Sequence, residues 1–236
     1  MRKIFVVLAV VVILSAAFIG QAGAVGTYSE GYRMGLLSDF KISFVMRNGE
    51  GQLQLGKESS PLTADYKTSD GVVVPKSTTP WHFSTTSKMA KIVEPYLGKY
   101  VWVKYQQHRI NASTRETDYE ITEIGEVTRE LPSPVSYEVG KSWSLKSGGN
   151  SKAGRIVKAS IKGTLIGTWE IMIQVGEAGN QFKMLSVSDE AVYNGAVNYL
   201  KSGKMAIINY VDQGMLKVNF NDTGNVVWKI GPVKDL

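Results

Sequence analysis

One eight-residue pattern occurs twice in the chain and constrains the fold more than any other feature. Residues 98–105 read GKYVWVKY, and residues 203–210 read GKMAIINY. Each copy opens with a Gly-Lys pair that suits a turn, alternates residues as a half-buried β-strand does, and ends on Tyr. The segments around the two copies also correspond in order. The sequence therefore predicts two copies of one small domain.

Composition agrees with packed, β-rich domains. The chain has 236 residues, of which 43% are hydrophobic, so it can bury two small cores. Short runs rich in Val, Ile, Thr and Tyr, separated by frequent glycines, favour strands and turns. Cysteine is absent, which excludes disulfides, thiolate metal sites, a cysteine nucleophile and a lipidated cysteine.

The N-terminus has the pattern of an export signal. Arg2 and Lys3 precede an apolar run over residues 4–19, and the small-residue sequence QAGA follows at 21–24. We expect a signal peptide over residues 1–24, cleaved after Ala24. The alternative is an uncleaved membrane anchor, and only then would the protein contact the membrane. Either reading places the remainder in the periplasm or outside the cell.

The charge balance limits the classes of partner. The formal net charge is +6 at pH 7, a mild excess without a basic stripe. For an exported protein of this charge we expect another envelope protein or a glycan as the partner, and no nucleic acid. The sequence does not fix the oligomeric state.

The start of the mature chain carries a short motif. Tyr28, Ser29, Gly31, Arg33 and Gly35 form the pattern Tyr-Ser-x-Gly-x-Arg-x-Gly. This start, with the later strand at 98–105, resembles a family of small exported bacterial proteins. In that family a strand containing Trp-Glu-Gly comes between the two. This chain has Gly-Glu-Gly at 49–51, and the second copy, with Thr-Trp-Glu at 168–170, is closer to the pattern. The resemblance implies export and no particular activity.

The first copy is predicted over residues 27–125. A hairpin is indicated by Asn48-Gly49 between apolar runs, because both positions of such a turn favour positive φ. Residues 56–79 are interpreted as a long loop in which residues 72–74 could form a short edge strand. Ser87 is a candidate N-cap for a short helix through Ile92, before the turn at Gly98. Residues 117–125 supply the last strand.

A proline-containing linker over residues 126–150 is predicted to lead into a second copy over 151–236. We align Arg155 with Arg33, and Glu170 with Glu50. Residues 188–190 are expected to cap a helix that ends at Gly203. Further strands are predicted at 205–210, 216–220 and 226–230.

Both copies thus follow the order strand, strand, strand, helix, strand, strand. This order predicts a mainly β protein made of two tandem small β-barrels of the OB-fold type, each with a helix between its third and fourth strands. An SH3-like barrel is the runner-up. Fold alone does not fix function, although OB barrels bind ligands through their second and third strands.

Catalytic groups are scarce. The two histidines, His82 and His108, lack a second His or a carboxylate at helical spacing, and no Gly-x-Ser-x-Gly elbow is present. The glycine pairs do not form a dinucleotide or phosphate loop. We therefore expect no cofactor and no metal site. An exported hydrolase is kept as an alternative that would need an acid or nucleophile within reach of one histidine.

The aromatic strand at 98–105 supplies the candidate binding residues. If Val101, Val103 and Tyr105 face the barrel interior, Tyr100, Trp102 and Lys104 face outward. With Arg109 these three residues could form a stacking platform for a sugar or a partner protein. The competing and favoured interpretation is that Trp102 packs under the long loop or against the second barrel.

These observations predict a non-catalytic interaction or assembly module of the cell envelope. The alternative is a carbohydrate- or small-ligand-binding protein that uses the groove between the barrels.

Overall fold

The computed structural model describes residues 27–43, 48–55, 66–67, 73–74, 80–109, 115–137, 149–163, 167–175, 181–212 and 223–233. The predicted signal segment at 1–24 and the predicted strand at 216–220 lie outside these residues. Within them, neither helix is long and apolar enough to cross a membrane.

The protein is mainly β. Its first half contains β1 (Thr27–Ile42), β2 (Gly49–Leu55), the two-residue strands β3 (Tyr66–Lys67) and β4 (Val73–Val74), β5 (Pro80–Thr85), α1 (Ser87–Val93), β6 (Tyr100–His108) and β7 (Tyr119–Glu126). Its second half contains β8 (Val135–Ser136), β9 (Gly149–Lys162), β10 (Thr168–Val175), β11 (Phe182–Val187), α2 (Glu190–Ser202), β12 (Met205–Asp212) and β13 (Asn225–Pro232).

Five strands of the first half close into a ring, which we call barrel 1. The order is β1-β2-β5-β7-β6 and back to β1. All neighbours are antiparallel except β5 and β7, which are parallel. With α1 between β5 and β6, the third and fourth of these five strands in chain order, this is the OB-fold arrangement.

The second half repeats the arrangement as barrel 2. Its ring runs β9-β10-β11-β13-β12 and back to β9, and β11 and β13 are the parallel pair. The helix α2 again lies between the third and fourth of the five strands in chain order, β11 and β12. The prediction of two OB-like barrels is therefore confirmed, and the SH3-like alternative is not adopted.

The repeated strands line the two interiors as their alternation predicted. In β6 the side chains of Val101, Val103 and Tyr105 are buried, whereas the residues between them are only partly covered. In β12 the equivalent residues Ala206, Ile208 and Tyr210 are buried. Alternating apolar positions thus place one face of each strand in a core, each full burial of a large side chain contributing about 1.5–3 kcal/mol.

The helices begin and end at residues that satisfy their free backbone groups. Asp189 caps α2 by accepting a hydrogen bond from Val192 N (3.0 Å). Gly203 ends α2 at φ 66°, a left-handed conformation that costs glycine little. Both features confirm the prediction. The cap of α1 is Thr86 rather than Ser87, because the Thr86 hydroxyl accepts from Met89 N.

The register corrects two details of the sequence interpretation. The hairpin between β1 and β2 is present, but the second strand already begins at Gly49, and the Asn48 carbonyl oxygen accepts a hydrogen bond from Ser43 N at the end of the first. The second correction concerns the alignment of the copies. Gly35 lies opposite Leu55 and Val101, and Gly154 lies opposite Val175 and Ala206, so these two glycines are equivalent.

This equivalence makes Lys152, and not Arg155, the counterpart of Arg33. Arg33 lies opposite Val103 and Lys152 lies opposite Ile208, at matching positions of the repeated strand. The match of the two arginines fails because it shifts the strand by three residues, which reverses the faces that side chains occupy.

The segment 127–137, within the predicted linker, packs on barrel 2. Val135 and Ser136 form β8, which pairs with β13. The Tyr199 hydroxyl donates to the Pro132 carbonyl oxygen (3.1 Å), and a Cβ added at Gly195 of α2 would lie 2.2 Å from Val135 Cγ1. Gly195 therefore permits a close approach between this segment and α2.

Candidate functional site

The outward surface of β1, β2 and β5 in barrel 1 carries two rows of polar residues. In one row Asp39 lies opposite Gln52, which lies opposite His82. In the other row Lys41 lies opposite Glu50, which lies opposite Ser84. We call this surface the open face, and define it by Asp39, Lys41, Glu50, Gln52 and His82.

A groove of about 450 Å³ runs over the open face. Glu116 and Thr117, from the loop between β6 and β7, form one wall, and Gly51 and Phe83 contribute to the floor. Lys41 Nζ lies 2.9 Å from Glu116 Oε1, and this hydrogen bond is the main cause that raises the pKa of Lys41. With Asp39, Glu50 and Glu116 against one lysine, the groove is acidic.

Glu50 is held in place within the groove. The Ser84 hydroxyl donates to its Oε2 (2.7 Å), and Glu116 N donates to its Oε1 (3.3 Å). Thr117 N donates to the Ser84 hydroxyl oxygen (3.2 Å), which links the loop to β5. Both oxygens of this carboxylate therefore stabilise the groove wall.

The same hydrogen-bonding arrangement recurs in barrel 2. Thr223 N donates to the Ser186 hydroxyl oxygen (3.0 Å), as Thr117 N does to Ser84. Ser84 and Ser186 both lie where the parallel strands of their ring meet. Because few backbone bonds join those strands, we interpret the Ser-Thr pair as a closure of each barrel and not as a catalytic group.

The equivalent face of barrel 2 is partly buried. Lys158, Met172 and Met184 occupy the positions of Asp39, Gln52 and His82. Met172 contacts the cores of both barrels. Two residues in the other row, Ser160 and Glu170, are buried. Barrel 1 therefore occupies this part of barrel 2, whereas nothing among the described residues fills the groove of barrel 1.

The joint between the barrels is a strand pairing. Residues 29–33 of β1 pair antiparallel with residues 158–162 of β9, so the two rings share one continuous sheet. At the centre, Gly31 lies opposite Ser160. A Cβ at position 31 would lie 2.3 Å from the Ala159 carbonyl oxygen, so the pairing requires glycine.

Arg33 belongs to the same Tyr-Ser-x-Gly-x-Arg-x-Gly motif as Gly31. It is buried in barrel 1, at the end of the pairing between β1 and β9. Its guanidinium carbon lies 4.5 Å from the Trp81 ring centroid, and 5.4 Å and 5.6 Å from those of Tyr105 and Tyr119. The three rings also contact one another. A desolvated cation over aromatic faces gains about 2 kcal/mol, so this cluster stabilises the barrel end.

Of the four predicted binding residues, Trp102 lies between the barrels. Its ring centroid is 6.2 Å from that of Tyr32, and both rings pack against the core of barrel 2. Lys201 Nζ of α2 lies 4.2 Å from the Trp102 ring centroid. On the other side, Gly125 leaves room for the indole. The favoured interpretation of the sequence, in which Trp102 packs under the long loop or against the second barrel, describes this kind of position.

The other three residues are placed apart. Lys104 Nζ lies 3.2 Å from Glu123 Oε1 and 5.9 Å from the Tyr32 ring centroid. The hydrogen bond to Glu123 is the main cause that raises the pKa of Lys104. Arg109 is exposed after the end of β6. Tyr100 lines a cleft of about 220 Å³ between the barrels. The structure thus does not bring the four residues into one platform.

That cleft is lined by residues of both barrels. Its cationic members are Arg129, Arg155 and Lys204, and Met34 supplies apolar surface. Arg155 donates a hydrogen bond to the Gly203 carbonyl oxygen at the end of α2. A cation at a helix C-terminus is favourable, which gives Arg155 a structural role there.

The histidines occupy different environments. His82 is exposed on the open face. His108 Nε2 lies 3.0 Å from Glu120 Oε2, and the same oxygen lies 2.8 Å from Arg115 Nη1. Glu120 comes close to His108 because β6 pairs with β7. A search for carboxylates three or four residues from a histidine does not find such a neighbour. Within the described ranges no three His, Asp or Glu residues are grouped closely enough to bind a metal.

Sequence reasoning missed the open face and the aromatic cluster around Arg33. The sequence contained one signal for the open face. Glu50 matches Glu170, and both occupy the same strand position in their copies. The cluster had no local signal, because its members come from four separate strands.

Comparison with known proteins adds a family match and a structural likeness. Residues 26–130, which contain barrel 1, match a family described as "Domain of unknown function (DUF8785)". A search of curated proteins found no match. Among solved structures, wild-type single-stranded DNA-binding protein from Thermus aquaticus is 13% identical, with a TM-score of 0.24, covering 89% of this chain and 95% of that one. A deletion mutant of that protein gives the same identity, TM-score and coverage of this chain, with 97% of its own covered.

These neighbours correct one prediction. We expected that nucleic acid would not be a partner, and that exclusion is wrong, because the structural neighbours are single-stranded DNA-binding proteins. At a TM-score of 0.24 the likeness carries no argument about which ligand this chain binds.

Proposed function

We propose that this protein is an exported, non-catalytic interaction module that binds a partner protein on the open face of barrel 1. One observation carries the proposal. Barrel 2 uses the equivalent face to hold barrel 1, through Met172 and the buried Ser160, whereas the face of barrel 1 carries an open groove of about 450 Å³. Export rests on the signal pattern at residues 1–24.

The chemistry of the groove suits a basic, hydrophilic segment of a polypeptide. Asp39, Glu50 and Glu116 outnumber the single lysine, Lys41, and Gln52 and His82 add polar groups. Complementary charge improves association rate and specificity more than affinity. The partner is therefore expected to present a cationic side chain toward Asp39.

Site-directed photo-crosslinking in the producing cells tests the proposal. A benzophenone amino acid replaces Gln52 on the open face or, as the control, Lys229, which is exposed on β13 of barrel 2. We expect a discrete crosslinked partner from position 52 that is absent from position 229. No product from position 52, or the same products from both positions, would reject the proposal.

The cleft between the barrels supports a second candidate, a site for a small anionic ligand. Arg129, Arg155 and Lys204 surround it with positive charge. Its volume of about 220 Å³ is below the roughly 300–1,000 Å³ of ordinary ligand pockets, so this candidate ranks second. Inorganic phosphate, titrated by calorimetry against wild type and Lys204→Ala, tests it; equal or absent heats would reject it.

A further inference from the structure

We propose that the partner of the open face attaches by strand addition at the edge formed by residues 39–42 of β1, and that the added strand carries the sequence Gly-x-Arg. This inference rests on the proposed function, because that edge borders the open face at Asp39 and Lys41. The template is the joint inside the molecule, where residues 29–33 of β1 add to residues 158–162 of β9. Strand addition supplies affinity through backbone hydrogen bonds and specificity through alternate side chains.

The end of β1 is the counterpart of the occupied edge of β9. Both strands have a bulge at the same place, between Leu37 and Asp39 in β1 and between Ile156 and Lys158 in β9. Beyond the bulge each strand pairs on one side with the second strand of its barrel. On the other side β9 carries β1, whereas residues 39–42 carry no strand among the described residues.

The backbone of this edge is directed outward. Ser43 N donates to Asn48 O (2.9 Å), so Ser43 is a hydrogen-bonded partner of the β2 side. Because such bonds alternate along an antiparallel pair, the N–H and C=O groups of Phe40 and Ile42 point away from β2. Their counterparts are Ala159 and Ile161, and the Ala159 carbonyl oxygen is the atom nearest to an added Cβ at Gly31.

Side chains along the edge are accessible. Ile42 is 41% exposed, whereas its counterpart Ile161 is partly buried against the core of barrel 2. Asp39 and Lys41 are exposed as well. An unpaired edge with an exposed isoleucine invites pairing with another chain unless it is protected.

The register of the joint specifies the added sequence. In the joint, Gly31 lies opposite Ser160 and Arg33 lies opposite Lys158. Transferred to barrel 1, the glycine lies opposite Lys41 and the arginine opposite Asp39. Directly opposed residues share one face of the sheet, so this arginine and Asp39 would form a cross-strand ion pair, which Lys158 cannot do.

A second copy of the chain does not offer this strand. Its residues 29–33 are already paired with β9. The corresponding strand position in barrel 2 is Asn150, which lies opposite Tyr210 as Gly31 lies opposite Tyr105. A side chain at that position meets the backbone of the receiving strand. The occupant is therefore a segment of a different polypeptide.

A peptide with the sequence of residues 27–36, TYSEGYRMGL, is the probe. Labelled with a fluorophore, it is titrated by anisotropy against the chain from Val25 onward. We expect saturable binding that weakens at least about tenfold in the Gly31→Val peptide, because a branched Cβ blocks the approach. In the Arg33→Glu peptide binding weakens about threefold, and the Asp39→Lys protein restores it.

Variants of the receiving edge complete the test. Ile42→Pro removes the outward N–H, whereas Ile42→Ala keeps it and is the matched control. We expect loss of peptide binding only in the proline variant, and hydrogen-exchange protection of Phe40 and Ile42 amides in wild type when peptide is added. Absence of saturable binding, tolerance of Gly31→Val, or no added protection would overturn the inference. If position 52 still crosslinks a partner, the proposed function survives that failure; if it does not, both fall.

Discussion

The two barrels share one topology and differ in what lies on their equivalent faces. Barrel 2 places Lys158 beside β1 and packs Met172 against both cores, whereas barrel 1 presents Asp39, Gln52 and His82 to an open groove. Duplication of a fold thus leaves two copies of one surface, and the chain uses one of them to join its halves. The other carries the open groove, and the proposed function rests on that difference.

A second difference is at the first strand of each barrel. Gly31 in β1 permits the joint, and Asn150 holds the equivalent position in β9. The two edges are therefore not interchangeable. A head-to-tail contact whose two surfaces differ can extend into a filament, and the asparagine opposes that extension.

The largest expected effect comes from making barrel 1 like barrel 2 at this position. Gly31→Asn places a Cβ 2.3 Å from the Ala159 carbonyl oxygen, where only backbone could move. We expect the free energy of unfolding in urea to fall by about 3–5 kcal/mol. Gly167→Ala is the control, because its nearest contact, at 3.2 Å, is the Cγ2 methyl group of the Ile161 side chain and not backbone. Equal effects of the two substitutions would show that the joint does not depend on Gly31.

The next largest effect is a difference in stability between alanine substitutions at the equivalent residues Arg33 and Lys152. Arg33→Ala removes a side chain that is 9% exposed and leaves a cavity among three rings, so we expect a loss of about 3 kcal/mol in unfolding free energy. Lys152 is exposed, and Lys152→Ala is expected to change stability by less than about 0.5 kcal/mol. Chemical denaturation followed by tryptophan fluorescence measures both. Similar values for the two would contradict the structural role of the cluster.

A smaller effect comes from exchanging residues between the two faces. Met172→Gln puts the barrel 1 residue into the covered face, where Met172 contacts both cores. We expect a loss of about 1–2 kcal/mol, from lost apolar burial and a buried amide. The reverse exchange, Gln52→Met, is expected to leave thermal unfolding nearly unchanged and to alter the crosslinks formed from a benzophenone amino acid placed at His82, which lines the same groove. A large stability loss in Gln52→Met would show that this face is already covered.

The smallest effect is on the pH dependence of stability. Burial raises the pKa of Tyr105 above its usual value of 10.0, and the Arg33 guanidinium opposes this shift. The folded state thus holds the proton more tightly than the unfolded chain, so the contribution is complete below pH 10 and is lost as pH rises above it. We expect the unfolding free energy of Tyr105→Phe to decline less steeply than that of wild type above pH 10. Tyr28→Phe, at an exposed tyrosine, is the control, and parallel curves for Tyr105→Phe and wild type would contradict the assignment.

Much of the fold could be predicted because its signals are local. Alternation in residues 98–105 and 203–210 identified the repeated strand, and residues 188–190 with Gly203 marked the ends of α2. The match of the two copies around Arg155 was wrong by three residues. Bulges and strand ends are set by pairing with neighbours, and one strand read alone does not show them.

The candidate site depended on contacts across the chain. The outward position of Trp102 on β6 was predicted, but its contact with Lys201 comes from a helix about a hundred residues later. His108 gained Glu120 through the β6–β7 pairing. Such neighbours are decided by how rings close and pack, so residue spacing along the chain could not reveal them.

The amino-acid sequence by itself determined that this protein consists of two similar β-barrels, because strand alternation, helix caps and turn glycines act over a few residues. Only the tertiary structure decided which of the two equivalent faces is buried and which stays open. The physical reason is that the choice depends on one close backbone approach, at Gly31 and Ala159, between strands more than a hundred residues apart.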